Sequence, residues 1–392
     1  MAIVNIIFNG KNYQADDSLT ILDFAKSQGI EIPTLCYDKR LDPYGSCFVC
    51  VVQVKGAKAL IPACATKLRE GIEIETNNET VISSRKTALE LILSNHYGDC
   101  LGPCKLACPA GCDAQGYIGL IANKKYKEAI KLIKETIPLP ATIGRVCPKF
   151  CEDKCRRQFV DESIAIDYLK RFVADMDLES ENPYTPELKP KIGKKVAVIG
   201  GGPAGLSASY YLIQEGVDVE IFEQKDKLGG MLLYGIPQYR LPKDILAKEI
   251  ETIIKLGVKV NLNKKLGVDF TIDSLKNSGF DAIVLAAGAW SASKLGIPDE
   301  DAENILDGIK FLEAIAEKKE IKIFGRVAIV GGGNTAFDCA RTALRLGAEE
   351  VVMVYRRTRD EMPANEIEKE EAEEEGVKFM LLTAPVKVVK EN

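Results

Sequence analysis

Histidine is almost absent from this chain, with a single one, His96, in 392 residues. With no nucleophile-elbow motif and no paired carboxylates either, no hydrolytic or general acid–base site is expected, and no residue is assigned a catalytic role. Long apolar runs are missing too; none approaches the roughly 18 residues that would suggest a membrane span. The N-terminus, MAIVNIIFNG, carries no basic stretch and alternates like a strand, so export is not expected and the chain is read as cytoplasmic. Basic residues are not in excess: 52 Lys and Arg stand against 57 Asp and Glu, for a net charge of −5, which argues against nucleic acid as a partner. With 46% hydrophobic and 28% charged residues, the composition suits roughly two to four soluble domains.

Against these absences stand twelve cysteines. In a reducing compartment, clustered cysteines serve as metal or cluster ligands far more often than as disulfides. Cys36, Cys47, Cys50 and Cys64 have ten, two and thirteen residues between them. They fall in a stretch that reads as a small α+β domain, residues 1–85: a hairpin (VNIIFN, KNYQA), an amphipathic helix (SLTILDFAKSQG) and later strands (FVCVVQV, IEIET). Four thiolates could hold zinc, but only one close Cys-x-x-Cys pair is present; the wide first gap favours a 2Fe-2S cluster. The segment up to about residue 98 resembles the N-terminal ferredoxin domain of the large respiratory complex I subunit and of iron-only hydrogenases.

The densest cysteine run, NHYGDCLGPCKLACPAGC, spaces Cys100, Cys104, Cys108 and Cys112 evenly behind His96. A helical stretch (YIGLIANKKYKEAIKLIKET) separates it from Cys147, Cys151 and Cys155. Seven thiols and one imidazole match two 4Fe-4S clusters at four ligands each, in a helical domain of residues 86–185. Gly102, Pro103, Pro109, Gly111 and the proline after Cys147 disfavour one continuous helix and favour short loops around a cubane.

Residues 99–392 resemble the glutamate synthase small subunit and its relatives, among them dihydropyrimidine dehydrogenase and the large subunit of NADH-dependent ferredoxin:NADP oxidoreductase. In that family the Cys-Pro is the last of four cysteines, so alignment on Cys108 puts the family's first cysteine at His96. Complex I offers a histidine ligand at the same offset. The resemblance then implies one cluster on His96, Cys100, Cys104 and Cys155, and another on Cys108, Cys147 and Cys151. The family completes the second with Glu or Gln, where this chain has Lys170, so Cys112 is the natural replacement. His96 is otherwise a structural residue.

Beyond a Pro-rich boundary (ENPYTPELKPKIGKK), strand and helix alternate. KKVAVIGGGPAGLSASYYLIQEGVDVEIFEQ contains strand, Gly200-x-Gly202-x-x-Gly205, helix and a second strand ending at Glu223, with Ala204 inside the motif. This is the dinucleotide fingerprint: glycines admit a pyrophosphate to the helix N-terminus and Glu223 takes ribose hydroxyls. KLGGMLLYGIPQYRLP resembles the family's flavin loop, with Gly230 and Arg240 at FAD-contacting positions, and DAIVLAAGA resembles the turn that closes over FAD, with Gly288. The first nucleotide is therefore read as FAD, bound by residues 194–320.

A second fingerprint, Gly331, Gly333, Asn334, Thr335 and Ala336, opens residues 321–392 and repeats the frame, with Gly216 and Gly347 each sixteen residues on. Where the first unit has Glu223, this one has Tyr355, Arg356 and Arg357, with Arg359 nearby; guanidinium forks suit a ribose 2′-phosphate and select NADP(H). Cys339 reads as a small buried apolar residue. An acidic, exposed helix (EIEKEEAEEEG) and one strand follow, and both nucleotide domains end short of their relatives, as in a fragment or a chain completed by a second polypeptide.

The fold expected is thus multidomain: a ferredoxin-like α+β domain, an α-helical bis-4Fe-4S domain and two incomplete α/β Rossmann-type domains. FAD would convert two-electron hydride chemistry with NADP(H) into single electrons for one 2Fe-2S and two 4Fe-4S clusters. The expected partners are other redox subunits of an anaerobic complex, such as a bifurcating transhydrogenase, hydrogenase or formate dehydrogenase, or a ferredoxin. The alternatives are a non-catalytic wiring subunit and an NADPH-dependent glutamate synthase small subunit.

Overall fold

A computed structural model describes residues 2–96 and 101–389. The chain forms two compact units, one built on the N-terminal region and Asp113–Ala129, the other on Cys108–Cys112 and the chain from Ile130 onward. Among the described residues no helix is long and apolar enough to cross a membrane.

The first unit holds a five-stranded mixed sheet in the order Lys11–Asp16, Ile3–Phe8, Glu73–Glu75, Val51–Val54, Ile61–Pro62. Its first two strands form a hairpin whose turn places Asn9 and Gly10 at φ of 48° and 76°, the positive values that a tight two-residue turn requires. The helix Ile21–Ser27 starts at Thr20, whose side chain accepts from Asp23 N. It buries Ile21, Leu22, Phe24 and Ala25 against Ile6, Phe8, Val52 and Ile74, each large side chain contributing about 1.5–3 kcal/mol. The expected strand through Phe48 begins only at Val51, because Phe48 lies at φ 56° inside the Cys47-x-x-Cys50 turn. The helix Glu79–Ser94 runs past residue 85 without a break.

The stretch read as one helical segment after Cys112 is two helices, Ala114–Ala122 and Tyr126–Lys134. Asn123 closes the first by donating from Nδ2 to Gly119 O, and Lys124 turns to φ 58°. Pro140–Val146 and Phe150–Asp153 then flank Cys147 and Pro148, followed by Ile166–Glu179.

In the second unit, a four-stranded parallel sheet runs Lys259–Asn261, Asp218–Phe222, Lys195–Ile199, Ala282–Leu285. A three-stranded parallel sheet runs Arg326–Val330, Glu350–Val354, Lys378–Met380. Each first strand feeds a twelve-residue helix, Pro203–Gln214 and Asn334–Arg345, so the two β-α-β frames repeat as the glycine spacing indicated. The acidic helix Glu366–Glu374 is not the exposed helix expected: Glu368, Lys369 and Ala372 are buried, and two arginines, Arg240 and Arg341, reach Glu368.

Candidate functional site

In the first unit four thiols share one neighbourhood. Cys50 Sγ lies 3.4 Å from Cys64 Sγ. The Cys64 thiol is pushed up to about 12 by burial and then by Cys50, Cys36 and Cys47. Cys36 is exposed and moves the other way: burial opposes its ionisation, but hydrogen bonds from Cys47 and Ser46 outweigh it. Peptide donors aimed at a sulfur are what a metal-bound thiolate accepts, so this donor set fits an iron-sulfur group. Arg85 sits beside it, its Nε donating to Val51 O at 3.0 Å and its buried Nη2 without a hydrogen-bond partner among the described residues.

The second unit brings together Cys108, Cys112, Cys147 and Cys151. Cys147 caps the end of the helix Pro140–Val146, and Lys149, at φ 62°, donates its N–H to Cys147 Sγ at 3.4 Å. The Cys151 thiol is pushed up to about 12 by burial, then by Cys147 and Glu152, with Cys108 contributing. Cys112 is 3% exposed and acts on Lys170 together with Cys147. Four thiols behind short loops suit a 4Fe-4S cluster. Among the described residues no three Cys, His, Asp or Glu side chains close on a point as a single ion requires; thiols around a multi-iron cluster bind separate irons and stand further apart.

The remaining expected ligands are only partly described. Cys100 lies outside the described residues. His96 is exposed at the end of the helix Glu79–Ser94, its N–H on Leu93 O. Cys104 lies in the short helix Pro103–Ala107, and Cys155 is buried in the second unit after Phe150–Asp153. Cys339 is buried, its thiol raised to about 12 by desolvation first, which is the apolar role expected of it.

At the first glycine-rich loop, Gly200 has φ 108° and a Cβ there would fall 2.2 Å from Ala286 O, while one on Gly205 would fall 1.9 Å from Gly200 O. The loop can thus pack tightly only with glycine at both places. The following helix begins at Gly202 without any side-chain cap, leaving first-turn N–H groups open to a pyrophosphate. Glu223, 5% exposed, accepts from Gly201 N at 2.7 Å and Lys225 N at 2.8 Å; a carboxylate has further lone pairs for ribose hydroxyls. Gly230 packs on Gly202, Ala204 is exposed beside them, and Gly288 turns at φ 72° next to Trp290.

The second loop matches the first. Gly331 has φ 142°, Gly333 has open space about it, and the helix starting at Asn334 has no side-chain cap. Asn334 Oδ1 accepts from Asn365 N at 3.1 Å, Thr335 is exposed and Ala336 half-buried. Arg356 and Arg357 are exposed just past the strand end, whereas Arg359 is committed to Glu366 and Glu373.

Arg240, expected on FAD, holds Asp338 at 2.9 and 2.8 Å and also pairs with Glu368. Arg341 joins Glu368, Glu371 and Glu375 and stacks with Arg345 on the Tyr239 ring. Three residues went unnoticed in the sequence. Lys243 donates to Leu232 O and Ile236 O; Lys225 pairs with Glu313 and Glu317; Glu249 accepts from Ala141 N at 2.7 Å and Thr142 N at 2.6 Å. None has a local motif: the partners of Lys225 and Glu249 lie 88 to 108 residues off in the chain, and those of Lys243 are backbone carbonyls. A cavity of about 290 Å³ opens between the Cys147 loop and Asn334, lined also by Tyr239, Arg240 and Arg341.

Three family descriptions match the chain: a 2Fe-2S iron-sulfur cluster binding domain over residues 2–79, dihydropyrimidine dehydrogenase domain II with a 4Fe-4S cluster over 97–182, and pyridine nucleotide-disulphide oxidoreductase over 194–392. The chain is 44% identical over 314 residues to the NADP(+)-dependent formate dehydrogenase subunit beta of Moorella thermoacetica, covering 74% of this chain and 44% of that one. It is 41% identical over 292 residues to the NADPH-Fe(3+) oxidoreductase subunit beta of Geobacter sulfurreducens, covering 73% and 43%. To the glutamate synthase [NADPH] small chain of Escherichia coli it is 33% identical over 300 residues, covering 72% and 62%. The chain therefore spans less than half the length of the first two relatives.

Proposed function

Because the chain belongs to the pyridine nucleotide-disulphide oxidoreductase family, we propose that it is the NADP(H)- and FAD-linked, iron-sulfur-carrying part of an electron-transfer enzyme that works with other redox subunits. The family names of its N-terminal and middle regions supply the two cluster types, and the names of two relatives, each a beta subunit, support a place in a larger complex.

In this reading residues 194–320 bind FAD through Gly200, Gly202, Gly205, Glu223 and Gly230, and residues 321–392 bind NADP(H) through Gly331, Gly333 and Ala336. Arg356 and Arg357 are exposed past the strand end, and their guanidinium forks suit a 2′-phosphate. Cys36, Cys47, Cys50 and Cys64 hold the 2Fe-2S group within residues 1–85. Cys108, Cys112, Cys147 and Cys151 hold one 4Fe-4S cluster, and His96, Cys100, Cys104 and Cys155 are assigned to a second, within 86–185. FAD, when bound, supplies the conversion between hydride transfer and single electrons.

One observation carries this reading furthest. Glu249, on the helix Lys243–Ile254 of the first nucleotide-binding frame, accepts the first N–H groups of the very helix that ends at Cys147. The cluster loop is thereby fastened to the flavin-binding frame, as an electron relay requires. Metal and flavin analysis of anaerobically purified protein tests it: about ten irons are expected, from one 2Fe-2S and two 4Fe-4S clusters, with bound FAD. Zinc in place of iron, or about six irons, would remove one of the assigned groups.

A further inference from the structure

The helix Ile166–Glu179 turns two charged residues inward with its apolar ones: Asp167 and Lys170 are buried along with Ile166, Val173 and Ala174. Lys170 Nζ lies 2.7 Å from Asp167 Oδ1, with side-chain exposures of 6% and 3%. Taking two ions out of water is costly, so a buried pair whose only role was packing would gain little over an apolar one. What distinguishes this pair is what else it faces. Asp167 lines the same cavity as Cys147, and Lys170 lies near enough to interact with the thiols of Cys147, Cys151 and Cys112. At Cys147 the attraction from Lys170 exceeds the repulsion from Asp167, so the pair presents its positive end to the sulfurs.

An ammonium has no lone pair and cannot ligate iron, and here it is held by the buried Asp167 carboxylate. We propose that Lys170 is a positioning residue in the electrostatic sense: a fixed charge beside the cluster of Cys108, Cys112, Cys147 and Cys151 that raises its reduction potential, with Asp167 holding the ammonium in place and partly offsetting it. Reduction adds one electron and no proton to the cluster, and a neighbouring positive charge stabilises that more negative state. The inference rests on reading these four thiols as one cluster's ligands.

Redox titration of the anaerobically purified full-length protein, followed by electron paramagnetic resonance with iron analysis, tests it on Lys170→Met, Lys170→Arg and Asp167→Asn. With iron unchanged, one 4Fe-4S midpoint falls in Lys170→Met, stays close to wild type in Lys170→Arg and rises in Asp167→Asn, while the other clusters do not move. Shifts of the same sign in Lys170→Met and Asp167→Asn, or none in either, overturn it. If Lys170→Met loses iron, Asp167→Asn decides: an upward shift with full iron supports the assignment, and an unchanged midpoint overturns it. A wild-type protein without 4Fe-4S signals instead refutes the ligand reading, and the inference falls with it.

Discussion

Arg240 sets Nη1 at 2.9 and 2.8 Å from the two carboxylate oxygens of Asp338, 98 residues away in the chain. Asp338 lies on the helix that opens at the second fingerprint, and Arg240 lies in the loop read as flavin-binding, so the pair ties the two nucleotide-binding frames together. Both side chains are nearly buried, at 11% and 5% exposure. Arg240→Met would leave Asp338 without its guanidinium partner and Glu368 with Arg341 alone, and should cost about 3–5 kcal/mol, read as a lower denaturation midpoint of the nucleotide-binding region. Arg240→Lys should not restore it, since a single ammonium cannot reproduce the guanidinium's spread of contacts.

Lys243 gives a pH signature. Burial lowers its ammonium to about 8, with Asp338 pulling the other way, against about 10.4 in an unfolded chain. Below pH 8 both states hold the proton and the folded state bears the desolvation penalty. Between about 8 and 10.4 the unfolded state binds more protons, so this contribution to stability rises with pH. Wild type should therefore gain stability relative to Lys243→Met across that window; a difference that does not change with pH contradicts the assignment.

Arg356→Gln together with Arg357→Gln should weaken NADPH binding by roughly 2–3 kcal/mol and leave NADH within a few-fold. Equal losses for the two nucleotides in a binding titration would make the arginines structural. Arg359→Gln serves as the control, since Arg359 is already held by Glu366 and Glu373 and its loss should not alter the preference.

Glu249→Ala would strand the Ala141 and Thr142 N–H groups, at about 1–3 kcal/mol for each buried donor. The expected outcome is partial iron loss confined to the 4Fe-4S signals, with the 2Fe-2S signal kept, measured by iron analysis and electron paramagnetic resonance.

What was legible in the sequence was what local chemistry writes there. The first-unit hairpin, both β-α-β frames and the four thiols Cys36, Cys47, Cys50 and Cys64 all follow from spacing and periodicity, because turn glycines and cluster loops act over a few residues. The break at Lys124 was missed because a single left-handed residue between two amphipathic segments leaves little mark on the apolar pattern. The burial of Glu368 was missed for a different reason. A run of glutamates reads as a solvated face unless one knows that Arg240 and Arg341 fold over it, and such pairing over long sequence separation has no periodicity to detect. The same holds for Glu249, which reads as an ordinary helix residue until its 107- and 108-residue separations from Thr142 and Ala141 are closed.

In the proposed function electrons follow one path, from NADPH through bound flavin to the clusters. Its most direct test is an anaerobic titration of the purified protein with NADPH, following flavin absorbance and cluster electron paramagnetic resonance in the same samples. Flavin bleaching should be accompanied by the appearance of reduced-cluster signals, with far less of either when NADH replaces NADPH. Flavin that bleaches while the clusters stay oxidised, though dithionite reduces them, would contradict it.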